Sequence, residues 1–479
     1  MIMRRRAALP LAALLLLSVA SAHADLAALR AQIDGALAAP ELLPAHVGVL
    51  VVSLDDGRVI YQRNADKLFL PASNMKLFTA AAALDLLGPE FRFTTRVEGS
   101  RPPDANDGID LLLRGSGDPT LTRDHLAALA QQVVREYGKT SVRSLALCVV
   151  GGSEPHLPPT WEWDDLTWYY AAETASLMVD RGTVEVTVSP GASLEAAPVV
   201  DLGAGAGFLS VENRAVATPP RGTTEIRIER GLGNNTIYVS GTMALDAKPV
   251  TEEVTVRHPD LYAAHIFRRA LLARGVTVDC IPRRADCPAS NGEAAAEIRS
   301  EPLAQMLAAM NQPSDNYIAE ALFRTLGRAA GGDWSWSAGA KAMADFLKRV
   351  GIDPAAMRIV DGSGLSRQNA VSPRQVVKLL AFMARHKDAK LFMESLPAPG
   401  GEGTLSKRMK GGPAAGALRA KTGTLTGVSN LSGCVTNRTG ERLAFCFMAN
   451  GHLCPAARIR VIQDRIAEAL AGSSLDAIH

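Results

Sequence analysis

The chain is short of net charge. Its 51 Lys and Arg against 49 Asp and Glu leave a formal +2 over 479 residues. The basic residues are scattered except at the very start, so no basic arm suggests a nucleic-acid partner. None of the six cysteines forms C-x-x-C. The nine histidines show neither zinc-ligand spacing nor H-E-x-x-H, so no metal centre and no cofactor is expected. No serine sits in G-x-S-x-G, which excludes the nucleophile elbow of an α/β-hydrolase. Repeats and low-complexity tracts are absent. Beyond the first residues no apolar run approaches the ~20 residues that a membrane-spanning helix requires, so no integral anchor is expected.

The start of the chain is the exception to this evenness. Arg4, Arg5 and Arg6 precede an apolar run from Ala7 to Ala20, followed by Ala22-His23-Ala24. This order predicts a secretory signal peptide over 1–24, cleaved after about Ala24, and a periplasmic destination. In such an oxidising compartment Cys280 and Cys287 either close a short loop as a disulfide or stay as free thiols. The length exceeds what one core serves well, so two or three domains are expected.

The pattern predicts an α+β protein with an insertion. A helix over 26–39 leads to a buried strand at His46–Leu54, a turn at Asp55-Asp56-Gly57-Arg58 and a returning strand from Val59. An Ala-rich apolar helix from Ser73 stops at Gly88-Pro89. Between Arg92 and Arg299 short alternating strands and Gly/Pro turns take over, as at Val184–Val188, Glu225–Glu229 and Thr236–Val239. Helical patterns return after Ser300, two strands flank Cys434 and Cys446, and a last helix covers Arg458–Ala471. The expected division is 25–95 with 298–479 as one discontinuous domain, an antiparallel sheet sandwiched by helices. Residues 96–297 form the insertion of two mostly β subdomains, the inner one at about 185–250.

Candidate chemistry starts from lysine. Only Lys76, of twelve lysines, has a serine three residues earlier. Chance supplies about one or two Ser-x-x-Lys pairs in a chain this long, so the setting matters more than the motif. Positions i and i+3 share a helix face, which lets Lys76 reach Ser73. The positive end of the helix and the apolar neighbours Met75, Leu77 and Phe78 both disfavour an ammonium. A neutral lysine is a base for a serine hydroxyl, and the Ser73 N–H is free to face an oxyanion. The plainer reading makes Ser73 a helix cap and Lys76 a solvated side chain.

Two further motifs follow. Ser314-Asp315-Asn316 opens another helix, where an ordinary N-cap would look the same. Lys421-Thr422-Gly423-Thr424 precedes a strand start; its lysine and hydroxyls suit a carboxylate and its glycine allows close backbone approach. Alone it reads as a plain turn.

Taken together, S-x-x-K, S-D-N and K-T-G in this order form the signature of penicillin-binding proteins and class A β-lactamases. The chain resembles the D-Ala-D-Ala carboxypeptidase/endopeptidase family, the class C low-molecular-mass penicillin-binding proteins. Leu113-Arg114-Gly115-Ser116-Gly117-Asp118-Pro119-Thr120-Leu121, Trp161-Glu162-Trp163-Asp164-Asp165-Leu166 and Asp361-Gly362-Ser363-Gly364-Leu365-Ser366-Arg367 carry the likeness, as does the gap of 240 residues between Ser73 and Ser314.

The resemblance implies a penicillin-binding, β-lactamase-like domain that cleaves peptidoglycan peptides and is acylated by β-lactams. Ser73 is then the nucleophile and Lys76 its base. Ser314 and Asn316 relay a proton and position substrate. Lys421, Thr422 and Thr424, with Gly423 among them, bind the terminal carboxylate or polarise Ser314, and the N–H groups of Ser73 and Thr424 form the oxyanion site. Asp165 and Tyr170 match a pocket for the diaminopimelate amine, with Arg367 at the rim. An exposed surface Asp is the plainer account of Asp165. Two alternatives remain, a β-lactamase and a catalytically idle peptidoglycan-binding scaffold. Against the first, no glutamate begins E-x-x-L-N after Ser314-Asp315-Asn316.

Overall fold

The computed structural model describes residues 25–101, 108–148, 156–158, 160–285, 287 and 294–475. The expected signal peptide, residues 1–24, lies outside them. No described helix is long and apolar enough to cross a membrane.

The chain opens with helix α1 over residues 25–37. Strands β1 (His46–Ser53) and β2 (Val59–Arg63) and helix α2 (Met75–Leu87) follow. The next stretch contributes β3 (Thr94–Ser100), β4 (Ile109–Gly115), α3 (Arg123–Tyr137), β5 (Val142–Cys148), β6 (Thr183–Ser189) and β7 (Val199–Asp201). It continues through β8 (Ser210–Asn213), β9 (Val216–Thr218), β10 (Glu225–Arg230), β11 (Thr236–Ala244) and β12 (Val250–Thr255). Helix α4 (Pro259–Leu272), β13 (Arg283–Ala285) and β14 (Ala294–Arg299) lead back. Then come α5 (Leu303–Asn311), α6 (Asn316–Ala329), α7 (Trp336–Arg349), α8 (Pro373–Met383) and α9 (Ala389–Ser395). Strands β15 (Leu418–Leu425), β16 (Val428–Thr436) and β17 (Arg442–Asn450) and helix α10 (Ala456–Gly472) close the fold.

The central sheet runs β15-β16-β17-β1-β2 and is antiparallel throughout. Its strands are apolar on both faces because helices cover both. Val49 and Val51 of β1 pack with Ile33 of α1 and Ile459 and Ile466 of α10. Leu50, one residue out of phase, faces α2 and the helices beyond it. Met75 to Leu84 of α2 are all buried, as a helix apolar all round must be. The sandwich expected from sequence is therefore built as three layers with the sheet in the middle and α2 buried between it and the helices beyond.

The chain leaves these layers on β3 and returns on β14, which pair antiparallel from Thr94 opposite Arg299. Between them stand a five-stranded sheet (β13-β5-β4-β3-β14), a three-stranded sheet (β12-β6-β7) and a small sheet around β11. The mostly β expectation omitted α3 and α4. Leu126, Leu129, Ala130 and Val133 make the buried stripe of α3, and Thr122 caps it. One apolar cluster runs from Leu111 and Leu145 through Phe267 to Val186 and Val239, so these sheets share a core.

The cysteine expectation needs correction. Cys287 is bonded to Cys148, 139 positions away, and Cys280 is free. The reason is topological. β13 lies parallel to β5 with Ala285 opposite Cys148, which brings Cys287 to the end of β5.

Candidate active site

Pro71 begins a single 3-10 turn over Ala72–Asn74 that carries Ser73, and α2 starts only at Met75. The sequence reading began the helix at Ser73. Ala72 instead adopts φ +46°, a left-handed conformation unusual for alanine. Gly364, at φ +84°, lies so close that a Cβ there would overlap the Ala72 carbonyl. The left-handed Ala72 and the bare backbone of Gly364 beside it thus hold the serine against the loop behind it.

Lys76 is fully buried and spends its three donors on oxygen. Its Nζ donates to Ser73 Oγ at 3.1 Å, Asn316 Oδ1 at 2.6 Å and the Ser363 carbonyl at 2.9 Å. Burial draws its pKa down to about 8, while the charges of Asp315, Glu320 and Asp361 act in the opposite direction. A substantial neutral fraction near pH 8 is what a base for Ser73 needs.

Ser314 precedes α6 at φ +69°, and Asp315 caps that helix by accepting from the Ile318 N–H at 2.8 Å. The cap is thus Asp315, which frees Ser314 to accept from Lys421 Nζ at 2.8 Å. Lys421 is also buried, and burial together with the charge of Lys76 holds its pKa well below the usual lysine range. Gly423 passes Pro71 and Asn74 so closely that a side chain would press on the Pro71 carbonyl. Thr422 Oγ1 donates to Thr404 Oγ1 at 2.9 Å. The groups at 73, 76, 314, 316 and 421, far apart in sequence, meet in one place.

They open on a cleft of about 350 Å³ whose walls include Ser73, Ser314, Asn316 and Thr424. Its outer rim carries Glu162, Asp164, Asp165, Tyr170 and Arg367. Tyr170 donates to Asp165 Oδ1 at 2.9 Å, and Arg367 pairs with Glu162 at 2.9 Å. Burial raises the Asp165 pKa against the Tyr170 hydrogen bond that lowers it, and Asp164 and Glu162 raise it further. Three carboxylates against one paired arginine make this rim suited to an ammonium. Thr422 lies round the edge of β15, in an adjoining pocket of about 220 Å³ with Arg408 and Arg460.

Some contributors escaped the sequence reading. Ser363, in one of the stretches that carry the family likeness, is fully buried and serves through its carbonyl. Its loop is fixed by two buried carboxylates. Glu320 accepts the Ser363 N–H at 2.7 Å and the Gly362 N–H at 3.1 Å, and Asp361 accepts from Gly364 and Ser366. Glu320 lies about one turn beyond Asn316 on a buried helix face, a signal present in sequence but unused. Elsewhere His156, Glu173 and His258 gather with donor atoms within 4.8 Å. Arg257 stands 3.4 Å from Glu173 and Arg284 3.2 Å from His258, so guanidinium charge already meets that carboxylate.

A serine and a buried lysine on a helix packed against an antiparallel sheet, with Ser-x-Asn and Lys-Thr-Gly completing the cleft, define the penicillin-interacting serine hydrolases. The chain belongs to the D-Ala-D-Ala carboxypeptidase 3 (S13) family, whose model matches residues 29–472. It is 39% identical to a D-alanyl-D-alanine carboxypeptidase of Actinomadura sp. (strain R39), covering 98% of this chain and 90% of that one. The crystal structure of penicillin binding protein 4 (dacB) from Haemophilus influenzae superposes with TM-score 0.80 at 27% identity, covering 91% of this chain and 98% of the other. The same protein complexed with a β-lactam superposes with TM-score 0.74 at 26% identity, over 91% and 97% of the two chains.

Proposed function

We propose that this carboxypeptidase hydrolyses D-alanyl bonds in peptidoglycan through a Ser73 acyl-enzyme, releasing terminal D-Ala from stem peptides and also opening cross-links. The observation that carries the reading is the Lys76 amine, buried, tuned to about 8 and 3.1 Å from Ser73 Oγ.

Ser73 Oγ attacks the carbonyl carbon of the penultimate D-Ala as its proton passes to Lys76 Nζ. The N–H groups of Ser73 and Thr424 face the developing oxyanion. The amide C–N bond then breaks, and Ser314, held by Lys421, delivers its proton to the departing amine and takes in exchange the one that Lys76 received from Ser73. Lys421, Thr422 and Thr424 meet the carboxylate next to that amine, whose approach restores the lysine's charge. Asn316 holds Lys76 and the substrate backbone. Water attacks the ester as Lys76 Nζ takes its proton, the ester C–O bond breaks, and that proton passes to the departing Ser73 Oγ. Terminal D-Ala and a cross-linking residue both place a carboxylate beside the leaving amine, so one site accepts both.

At the rim, Asp165 with Tyr170 receives the side-chain ammonium of diaminopimelate, and Arg367 borders the same pocket. A β-lactam presents the same carbonyl with its amine tethered, so its acyl-enzyme persists. The β-lactam complex of the Haemophilus influenzae protein supports this. Residues 1–24 direct export to the periplasm, where this substrate lies. The chain works as a discontinuous peptidase domain, 25–95 with 298–479, around an insertion at 96–297.

Digestion of purified sacculi tests the activity. The expected result is release of D-Ala together with loss of cross-linked dimers, both abolished in Ser73→Ala. Release of D-Ala with dimers intact would remove the cross-link activity, and release of neither would remove the whole reading.

A further inference from the structure

Lys76 is held in place by two oxygens besides Ser73, and each of them is fixed in turn by the loop over residues 160–171. On one side, the Asn316 amide gives its oxygen to Lys76 at 2.6 Å and donates its Nδ2 hydrogen to the Tyr170 carbonyl at 2.8 Å. That donation settles which way the amide faces. With the Tyr170 carbonyl in place, Asn316 must present oxygen, the acceptor an amine requires, toward Lys76. On the other side, the Ser363 carbonyl accepts from Lys76 at 2.9 Å. Its loop turns about Asp361, which is fully buried and accepts from Gly364, Ser366 and Asn369. The remaining donor to Asp361 comes from Trp161, whose Nε1 stands 3.0 Å from Oδ2 across 200 positions of sequence. Trp161 and Ala171 pack on Leu365, with Leu166, Tyr170 and Leu425 around them.

The loop that supplies these contacts also carries Asp165, which Tyr170 ties to itself through its hydroxyl. One short segment thus forms the acidic rim with one set of atoms and braces the catalytic amine with another. We propose that this loop is a positioning element for Lys76, with Trp161 and the Tyr170 carbonyl as its two braces, coupling occupancy of the rim to acylation. The coupling rests on the reaction proposed above. Trp161 touches no reacting atom in this arrangement. It acts through Asp361 and the Ser363 carbonyl.

The test separates bracing from rim binding by using an acyl donor with no ammonium to offer the acidic rim, benzylpenicillin. Trp161→Phe keeps the ring and deletes the donor. Its acylation rate constant should fall about ten-fold, the scale of one hydrogen bond to a buried charge. For an amine-bearing stem peptide kcat should fall likewise with KM little changed. The pH of half-maximal acylation should move down, because a looser Ser363 carbonyl stabilises the ammonium form less. A merely structural loss of active protein lowers the amplitude without moving that pH. Leu365→Ala loosens the same contact from the other side and should give the same pattern, which guards against a folding defect in the tryptophan variant. Tyr170→Phe keeps the carbonyl and loses the Asp165 link, so KM for the amine-bearing peptide should rise. Wild-type acylation rates in both Trp161→Phe and Leu365→Ala overturn the coupling alone. A wild-type protein that benzylpenicillin does not acylate overturns the proposed reaction with it.

Discussion

In the proposed reaction two lysines and two serines carry the chemistry, and their surroundings assign Lys76 as the base. Lys76 has Ser73 within reach and a pKa of about 8 set by burial against three nearby carboxylates. Acylation should therefore rise with pH through about 8 as the amine loses its proton, which a stopped-flow profile with a chromogenic β-lactam checks. Lys76→Ala should slow acylation by about 10²–10⁴-fold, the usual range for a lost general base. Glu320 is one of the charges that hold the Lys76 pKa up, although burial and Asp361 raise its own. Glu320→Gln should accordingly shift the rising limb to lower pH; a shift upward would contradict the electrostatic account. At the rim, Asp165→Asn should raise KM for an amine-bearing stem peptide about ten-fold or more, because a charge-assisted contact is lost. KM for a peptide lacking that amine should not move, a contrast that steady-state kinetics reads directly.

At the scale of elements, most of what positions the site was legible in the sequence. The apolar run from Met75 through Leu84 announced a buried helix, and β1 and the final helix α10 were legible as a buried strand and a helix close to their observed bounds. Ser-Asp-Asn at the head of α6 and Lys-Thr-Gly in β15 were visible as motifs because their spacing is local. What was hidden depends on contacts across the chain. The 3-10 turn at Ser73 needs Gly364 against Ala72, a partner that lies nearly 300 positions away. The Trp161–Asp361 and Asn316–Tyr170 contacts likewise join segments that no local pattern relates. α3 was missed for a different reason: its stripe was written in the sequence but sat among strands that dominated the reading. Gly364→Ala tests the packing at the turn. The added Cβ meets the Ala72 carbonyl at a left-handed position, so penicillin acylation should collapse and thermal denaturation should show a loss of stability.

Over the whole molecule, the sheets between β3 and β14 do more than extend the surface. Their apolar cluster is continuous, their first and last strands pair, and a loop from within them reaches the cleft. The Cys148–Cys287 bond closes most of this segment. In the chain-entropy account a loop of this size contributes about 4–5 kcal/mol, so reduction should lower the unfolding midpoint in denaturant. The central claim is spatial: residues 73, 76, 314 and 421 form one reaction centre with Ser73 as its nucleophile. Peptide mapping by mass spectrometry after treatment with benzylpenicillin tests it most directly. The account predicts one covalent adduct, on the peptide containing Ser73 and absent in Ser73→Ala. An adduct on Ser314 or Ser363, or one that survives the alanine variant, would contradict it.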